Sequence, residues 1–305
     1  MEGILPLFKP AGMTSHDCVF KLRKLLKTKK VGHTGTLDPN VTGVLPICVG
    51  KATKIAEYIT DAGKAYEGEV TLGFTTTTED ASGEKVEEKT VDRLIARQEI
   101  EKILQSLVGE IQQTPPMYSA VKVNGKKLYE YARKGIEVER PTRKVTIYSM
   151  ELLEERTAFE GEQVSFKFRV LCSKGTYIRT LAVTIGEKLG YPAHMSSLVR
   201  IQAASFSLAD CFTFEQLEEM EKESKLETAL FPLETGISYL PKNRINDKVA
   251  EKVKNGALLQ IPKELEGEEG PIVVETEDGK ALAIYRAHPT KNGMMKPDKV
   301  LRNEQ

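Results

Sequence analysis

Residues 32–46 read GHTGTLDPNVTGVLP, a run of small and turn-forming residues around one carboxylate, Asp38. Glycine tolerates positive φ angles and close approach of another chain, so Gly35 and Gly43 favour an irregular loop. Pro39 fixes its own φ and disfavours helix at the residue before it. Asp38 is therefore expected in a rigid loop, either bonded to nearby backbone in a turn or presented as a catalytic carboxylate.

The composition is that of a globular protein, with 40% hydrophobic and 29% charged residues in 305 positions. This length accommodates one large domain and a small one. The start has no secretory-signal pattern, and no apolar run reaches the roughly 20 residues of a membrane helix. The cysteines lack C-x-x-C spacing and predict buried thiols in a reducing compartment, the cytoplasm, without a zinc site: Cys18, Cys48, Cys172 and Cys211.

Charge is unevenly distributed, although the formal net charge is zero. Residues 1–64 carry ten Lys/Arg against five Asp/Glu, and residues 121–144 carry eight against three. Residues 210–227 and 264–278 carry seven carboxylates each. The basic segments favour a polyanionic partner such as nucleic acid, whereas solvated helix faces would explain them equally well.

Periodicity outlines the first half of the chain. Thr14 or Ser15 precedes apolar residues at helical spacing and is expected to cap a helix. Residues 52–60 predict a second helix. Residues 66–74 alternate as a half-buried strand from Tyr66 to Phe74.

Beyond this strand, a polar loop over 75–83 carries Asp80. A helix is then predicted over 91–107, with Leu94 and Ile95 facing inward. Asn124-Gly125 predicts a hairpin turn, followed by a short helix over 128–133 with aromatic residues among cations. That combination suits RNA stacking and phosphate contact, or an ordinary amphipathic surface helix.

The second half contains a clear alternating strand over 164–172 and a helix that begins near Arg179 and ends at Gly190. A cation at a helix N-terminus is unfavourable unless a carboxylate partner offsets it, and the alternative is an ordinary surface arginine. Residues 272–275 and 281–285 form a predicted hairpin in a β-rich C-terminal segment. The chain is therefore predicted to be α+β, with a mixed, largely antiparallel sheet.

No catalytic triad, phosphate-binding glycine loop or dinucleotide fingerprint is recognisable. A loop-held aspartate, a tyrosine, an arginine and a basic surface remain, and they indicate an RNA-binding protein or a hydrolase.

The stretch around Asp38 closely resembles the catalytic motif of the TruB family of tRNA pseudouridine synthases. Four further blocks resemble the family in the same order, so that the resemblance spans residues 9–200: KPAGMTS at 9–15, GKATK at 50–54, PPMYSA at 115–120 with LYEYAR at 128–133, and CSKGTYIR at 172–179.

This resemblance implies conversion of uridine 55 in the T loop of tRNA to pseudouridine, with no cofactor and no metal. Asp38 matches the catalytic aspartate, Tyr66 a tyrosine that stacks on the base and can serve in proton transfer, and Arg179 an arginine that pairs with the aspartate. His33 matches a residue that packs at flipped-out nucleotides. Further matches near the substrate are Lys54 and Asp80, with Leu198 in the uracil pocket.

The resemblance also implies a domain organisation. Residues 1–240 would form a catalytic domain of the pseudouridine synthase fold, and residues 241–305 a small PUA-like RNA-binding domain. Residues 120–145 are similar to an RNA-gripping insertion, in which Lys126, Lys127 and Arg133 are candidate RNA contacts.

The expected partner is the T stem-loop of tRNA, bound by a monomer that needs no membrane and no other protein. A guide-dependent rRNA pseudouridylase and a non-catalytic tRNA-binding or tRNA-folding protein are the alternatives. The insertion favours the stand-alone enzyme, and the presence of Asp38, Tyr66 and Arg179 favours catalysis.

Overall fold

The computed structural model describes residues 1–302 and divides the chain into two compact units. Unit 1 combines Met1–Asp61 with Ala203–Gln305, and unit 2 is Ala62–Gln202. The chain therefore leaves unit 1 after its first 61 residues and later returns to it. The proposed domain boundary at residue 240 stays a prediction.

The first part of unit 1 contributes three antiparallel sheet strands and two helical segments. Strand β3 pairs with β1 and with β2, so that His33 lies opposite Ile47. The elements are β1 (Gly3–Lys9), α1 (Ser15–Leu25), β2 (Val31–His33), β3 (Thr42–Val49), a 3-10 helix (Gly50–Ile55) and α2 (Ala56–Asp61).

Helix α1 begins where the sequence predicts. The Thr14 hydroxyl accepts a hydrogen bond from Asp17 N at 3.0 Å, and the Asp17 carboxylate accepts one from Thr14 N at 2.9 Å. This reciprocal capping box satisfies two backbone donors at the helix start. The single helix predicted over 52–60 is instead a 3-10 turn that continues into α2.

Unit 2 contains five neighbouring sheet strands in the order β14-β4-β13-β11-β8. The pairs β4–β13, β13–β11 and β11–β8 are antiparallel. The elements are β4 (Lys64–Leu72), β5 (Phe74–Thr76), β6 (Lys85–Glu88), β7 (Ile95–Ala96), α3 (Arg97–Ser106), β8 (Gly109–Gln113), β9 (Lys122–Val123), β10 (Lys126–Lys127), α4 (Leu128–Ala132), β11 (Arg143–Leu152), β12 (Ala158–Phe159), β13 (Val164–Cys172), α5 (Ile178–Leu189) and β14 (Ala193–Ala203).

Two sequence predictions in unit 2 were wrong at their boundaries. The strand predicted over 66–74 ends at Leu72, because Gly73 takes a φ of +121° and Phe74 starts a separate hairpin. The helix predicted over 91–107 begins only at Arg97. Ile95 belongs instead to β7, which pairs with β12, and the neighbouring Leu94 is 55% exposed.

The remainder of unit 1 is mainly helical up to Gly236 and β-rich from Lys242 onward, as predicted for the C-terminal segment. Its five-stranded sheet has the order β16-β18-β19-β20-β17, with one parallel pair, β16 and β18. The elements are β15 (Phe206–Ser207), a 3-10 helix (Leu208–Asp210), α6 (Phe214–Lys222), a 3-10 helix (Leu226–Ala229), α7 (Leu233–Gly236), β16 (Lys242–Ile245), α8 (Asp247–Lys254), β17 (Leu259–Gln260), a 3-10 helix (Lys263–Leu265), β18 (Ile272–Thr276), β19 (Ala281–Ala287) and β20 (Met294–Val300).

The fold confirms the predicted mixed α+β class. The cysteine thiols are free, and three of the four are buried as expected. Within residues 1–302, no helix combines the length and apolar character that a membrane crossing requires.

Candidate active site

The Asp38 loop connects β2 to β3 in unit 1. The Thr34 hydroxyl at its start donates to the Pro46 carbonyl at 2.8 Å, which joins the loop entry to β3. The Asp38 carbonyl accepts a hydrogen bond from Val41 N at 3.0 Å. The turn is thus closed through the main chain of Asp38, whose side chain is half-buried.

The two neighbours of Asp38 are held from the N-terminal segment. The Ser15 hydroxyl, in the first turn of α1, accepts from Leu37 N at 2.9 Å. The Pro39 carbonyl accepts from Lys9 Nζ and from Gly12 N, both at 2.9 Å. These contacts fix the backbone on either side of Asp38, as a positioned carboxylate requires.

Lys9 is a contributor that the sequence analysis quoted in a motif without assigning it a role. Its side chain is fully buried, and its ammonium also donates to the Pro10 carbonyl at 2.7 Å. A buried ammonium is costly unless its donors are satisfied, so these carbonyls stabilise its position. In the sequence, the only indication of this role was the position of Lys9-Pro10 at the start of the family-like block at 9–15.

His33 and Lys54 also belong to unit 1. His33 is the last residue of β2, at the entry to the loop, and is half-buried. Lys54 lies on the 3-10 helix and donates from Nζ to the Val300 carbonyl at 2.7 Å. Lys54 therefore ties this helix to β20, a contact that the sequence did not predict.

Tyr66 is a residue of β4, and Leu198 of β14 lies over the same face of that strand. Tyr66 is buried and lies opposite Val170 of β13. Gly68 follows two positions later, and a Cβ added there would lie 3.1 Å from Leu198 Cδ1 and 3.1 Å from the Phe168 ring. Since residues i and i+2 of a strand point to the same face, Leu198 covers the side of β4 that carries Tyr66.

Arg179 is the second residue of α5 and is buried. Its guanidinium donates to the Thr78 carbonyl at 3.0 Å and to the Tyr118 carbonyl at 2.8 Å. These carbonyl dipoles offset the unfavourable position of a cation at a helix N-terminus. The same two hydrogen bonds join α5 to the loop that carries Asp80 and to the PPMYSA segment at 115–120.

Asp80 shapes its own turn. Its carboxylate accepts from Ser82 N at 2.9 Å and from the Thr78 hydroxyl at 2.7 Å, while its carbonyl accepts from the Thr76 hydroxyl at 2.6 Å. The structure therefore brings Asp80 and Arg179 to the same turn, where both contact Thr78: Asp80 accepts from its hydroxyl, and Arg179 donates to its carbonyl.

Glu79 is a second contributor without an assigned role in the sequence analysis. It adopts a φ of +63°, and its carboxylate accepts from the Thr180 hydroxyl at 2.6 Å. Its carbonyl accepts from Met195 N at 3.0 Å, which links the turn to β14. Burial raises the pKa of Glu79 above its ordinary value, against the lowering effects of Thr180 and the nearby Arg179. In the sequence, the only indication of a role for Glu79 was its position next to Asp80, which resembles a family residue near the substrate.

The basic segment of unit 2 has the predicted hairpin. Asn124 and Gly125 take φ angles of +50° and +80°, which is the pattern of a type I′ turn. Two cations lie near the Tyr129 ring, with Lys127 Nζ at 5.4 Å and Arg133 Cζ at 5.1 Å from its centroid. Lys126 and Arg133 are exposed, so they are available to phosphate groups.

The site residues divide between the units. Asp38, His33 and Lys54 belong to unit 1, whereas the other predicted site residues belong to unit 2. Among residues 1–302, no cluster of three His, Cys, Asp or Glu side chains has the arrangement of a metal site. A loop carboxylate, a buried tyrosine and a buried arginine are groups suited to nucleophilic or acid–base chemistry.

The comparisons with known proteins define a pseudouridine synthase, an isomerase, and identify its family. Residues 23–178 match the model of the TruB family pseudouridylate synthase N-terminal domain. Residues 179–238 match that of the tRNA pseudouridylate synthase B C-terminal domain. The chain belongs to the TruB family of pseudouridylate synthases.

Full-length relatives carry the same family name. The chain is 64% identical over 302 residues to tRNA pseudouridine synthase B of Geobacillus thermodenitrificans, covering 99% of this chain and 100% of the relative. It is 60% identical over 305 residues to tRNA pseudouridine synthase B of Bacillus cereus, covering 100% and 99%.

Solved structures support the fold. A protein in the crystal structure of a Cbf5-Nop10-Gar1 complex aligns with a TM-score of 0.76 at 30% identity, over 98% of this chain and 85% of that one. A second aligns with a TM-score of 0.72 at 27% identity, with the same coverage, and comes from an H/ACA RNP bound to a substrate RNA containing 2′-deoxyuridine.

Proposed function

We propose that this protein converts uridine 55 in the T loop of tRNA to pseudouridine, acting as a monomer in the bacterial cytoplasm. The observation that carries the proposal is the 64% identity, over essentially the whole chain, to tRNA pseudouridine synthase B. The block around Asp38, whose backbone is held on both sides, supplies the catalytic carboxylate in this proposal.

The reaction is an isomerisation. The bond between N1 of uracil and C1′ of ribose breaks, the base rotates, and C5 forms a new bond to C1′. The hydrogen displaced from C5 is balanced by one gained at N1, so no atom or electron is exchanged with a co-reactant. The chemistry therefore needs positioned acid–base and nucleophilic groups, and it proceeds without a redox cofactor.

The residues divide this work. Asp38 acts on the target nucleotide as the catalytic carboxylate, and Arg179 keeps that carboxylate ionised by pairing with it. Tyr66 stacks on the uracil and takes part in proton transfer. Leu198 lines the uracil pocket from the same face of β4, which agrees with its position over Gly68.

The base must leave the stack of the T loop before it can react, which costs a few kcal/mol. His33 packs against the nucleotides that flip out, and Lys54 and Asp80 lie near the substrate. The basic 120–145 insertion grips the T stem through Lys126, Lys127 and Arg133, and residues 241–305 act as a PUA-like RNA-binding domain.

The rival activity is guide-dependent modification of rRNA. The similarity of the fold to proteins of Cbf5-Nop10-Gar1 and H/ACA RNP structures favours it, although at 30% and 27% identity. The test is to incubate the purified protein alone with unmodified tRNA and map pseudouridine at each position. Product at position 55 without a guide RNA supports the proposal, whereas no product there contradicts it.

A further inference from the structure

Helix α1 carries a basic and aromatic surface that none of the assigned roles uses. Its exposed face contains His16, Phe20 and Lys24, spaced four residues apart and therefore aligned along one side of the helix. The turn after α1 adds the exposed Lys29 and Lys30. We call these five residues the α1 surface.

The aromatic residue in this surface is open to solvent. Phe20 is 56% exposed, whereas Val19 and Leu22 on the opposite side are buried in the core of unit 1. The Lys24 ammonium lies 4.6 Å from the centroid of the Phe20 ring. The ring and the cation thus form an exposed pair, the combination that stacks on bases and contacts phosphates in single-stranded RNA binding.

The charge of this surface is uncompensated, unlike that of neighbouring lysines. Lys21 and Lys27 form ion pairs with Glu218 and Glu221 of α6, at 2.9 Å and 3.0 Å. Within residues 1–302, Lys24, Lys29 and Lys30 have no carboxylate within 4.0 Å. These three lysines therefore give the surface a net positive charge that a polyanion can neutralise.

The α1 surface is continuous with the Asp38 loop. The first turn of α1 holds that loop through Ser15 and the Leu37 backbone, and His16 is the next residue. Eight residues separate His16 from Lys24, which spans about 12 Å along the helix. At the far end, Lys29 and Lys30 lead directly into β2, which returns to the loop.

We infer that the α1 surface is an RNA-binding surface that contacts the backbone and one base beside the target uridine. The partner is a polynucleotide, because the surface joins an exposed aromatic ring to three lysines that form no ion pair among the described residues, while the exposed Asp17 beside His16 is engaged in the capping box of α1. The identity of the RNA in this inference rests on the proposed function. The location of the binding surface beside the Asp38 loop rests on the geometry of unit 1.

The test measures RNA affinity by fluorescence anisotropy, independently of turnover, with labelled tRNA and with the isolated T stem-loop at several salt concentrations. Changing Lys24, Lys29 and Lys30 together to Ala should lower the slope of log Kd against log salt by about two. Phe20→Ala should raise Kd at least about fivefold, and Phe20→Trp should restore most of the affinity.

The matched controls lie elsewhere on the protein. Tyr148, 54% exposed on β11, is changed to Ala as the control for Phe20, and the exposed Lys102 on α3 is the control for the lysines. Thermal melts check that every variant is folded.

An unchanged salt slope and affinity in folded α1 variants would overturn the inference. A loss with full-length tRNA but not with the T stem-loop would overturn its placement beside the target uridine. Since turnover is mapped separately, wild-type product at position 55 with unchanged variant binding would reject the surface and leave the proposed function intact. A reduced salt slope in the α1 variants, combined with no pseudouridine at position 55 from wild type, would support the surface and reject the proposed function.

Discussion

Thr180 donates a 2.6 Å hydrogen bond from its hydroxyl to the carboxylate of Glu79. The preceding residue, Arg179, bonds to the carbonyl of Thr78, so two consecutive residues of α5 hold two consecutive residues of the Asp80 turn. The orientation of the Arg179 guanidinium therefore depends on this double attachment.

Thr180→Val keeps the shape of the side chain and removes its donor. Without this bond the Arg179 guanidinium should be less well oriented. If the loss of one typical hydrogen bond, about 1 kcal/mol, is felt in the transition state, kcat falls roughly fivefold while the Kd for tRNA stays unchanged. Steady-state kinetics and anisotropy measure the two quantities. Thr184→Val, on the same helix, is the control, because the Thr184 hydroxyl bonds only within α5. Equal effects of both variants would assign Thr180 to helix stability alone.

Glu79→Gln tests the pKa shift of Glu79, which burial raises above the ordinary value of 4.5. A raised pKa means that the folded state binds this proton more tightly than the unfolded state does. Its contribution favours folding below the unfolded pKa and is lost as the pH rises through the folded pKa. Since glutamine is neutral, the variant should melt above wild type at about pH 8, with the difference vanishing towards about pH 4. Thermal melts across this range would contradict the account if the difference grew on acidification.

Changing Lys126 and Lys127 to Ala should weaken tRNA binding and reduce the slope of log Kd against log salt concentration by about 1.5. Each phosphate contact contributes roughly 0.7 to 0.9 to this slope. Both residues form β10 after the Asn124-Gly125 turn, and their backbone pairing with β9 does not depend on the side chains. Anisotropy titrations at several salt concentrations measure the slope. An unchanged slope would exclude these lysines as phosphate contacts.

Gly186→Ala should destabilise the protein by about 1–3 kcal/mol, because an added Cβ would lie 2.3 Å from Ala193 Cβ and 2.8 Å from the Tyr191 carbonyl. Denaturant unfolding measures the loss. Gly32→Ala is the control, since a Cβ there would have no heavy atom within 4 Å and the backbone lies outside the positive-φ region. Similar stability of the two variants would show that α5 can shift away from the start of β14.

Local signals made much of the fold predictable. The cap at Thr14, the strand Val164–Cys172 and the glycine stop at Gly190 all depend on neighbours in the sequence, and each is found where predicted. The start of α3 was wrong because Ile95 pairs with Phe159, a distant residue that overrides the helical periodicity of its own segment.

The site was predictable in part. The Asp38 loop has glycine and proline signals in its own sequence, and its irregular backbone is confirmed by the φ angle of +99° at Gly35, whereas Gly43, with a φ of +111°, already belongs to β3. The support from Lys9 and the attachment of Thr180 to Glu79 join segments 30 and 101 residues apart. No periodicity reports such contacts, so only the folded chain reveals them.

The central claim is that Asp38 catalyses pseudouridine formation at position 55 of tRNA. The most direct measurement compares wild type and Asp38→Ala in single-turnover reactions on unmodified tRNA, with pseudouridine quantified at each position and Kd measured on the same preparations. We expect wild type to form product at position 55 and the variant to form none, with Kd within a few-fold of wild type. Product from Asp38→Ala, or loss of binding together with turnover, would contradict the claim and make Asp38 a structural residue of its loop.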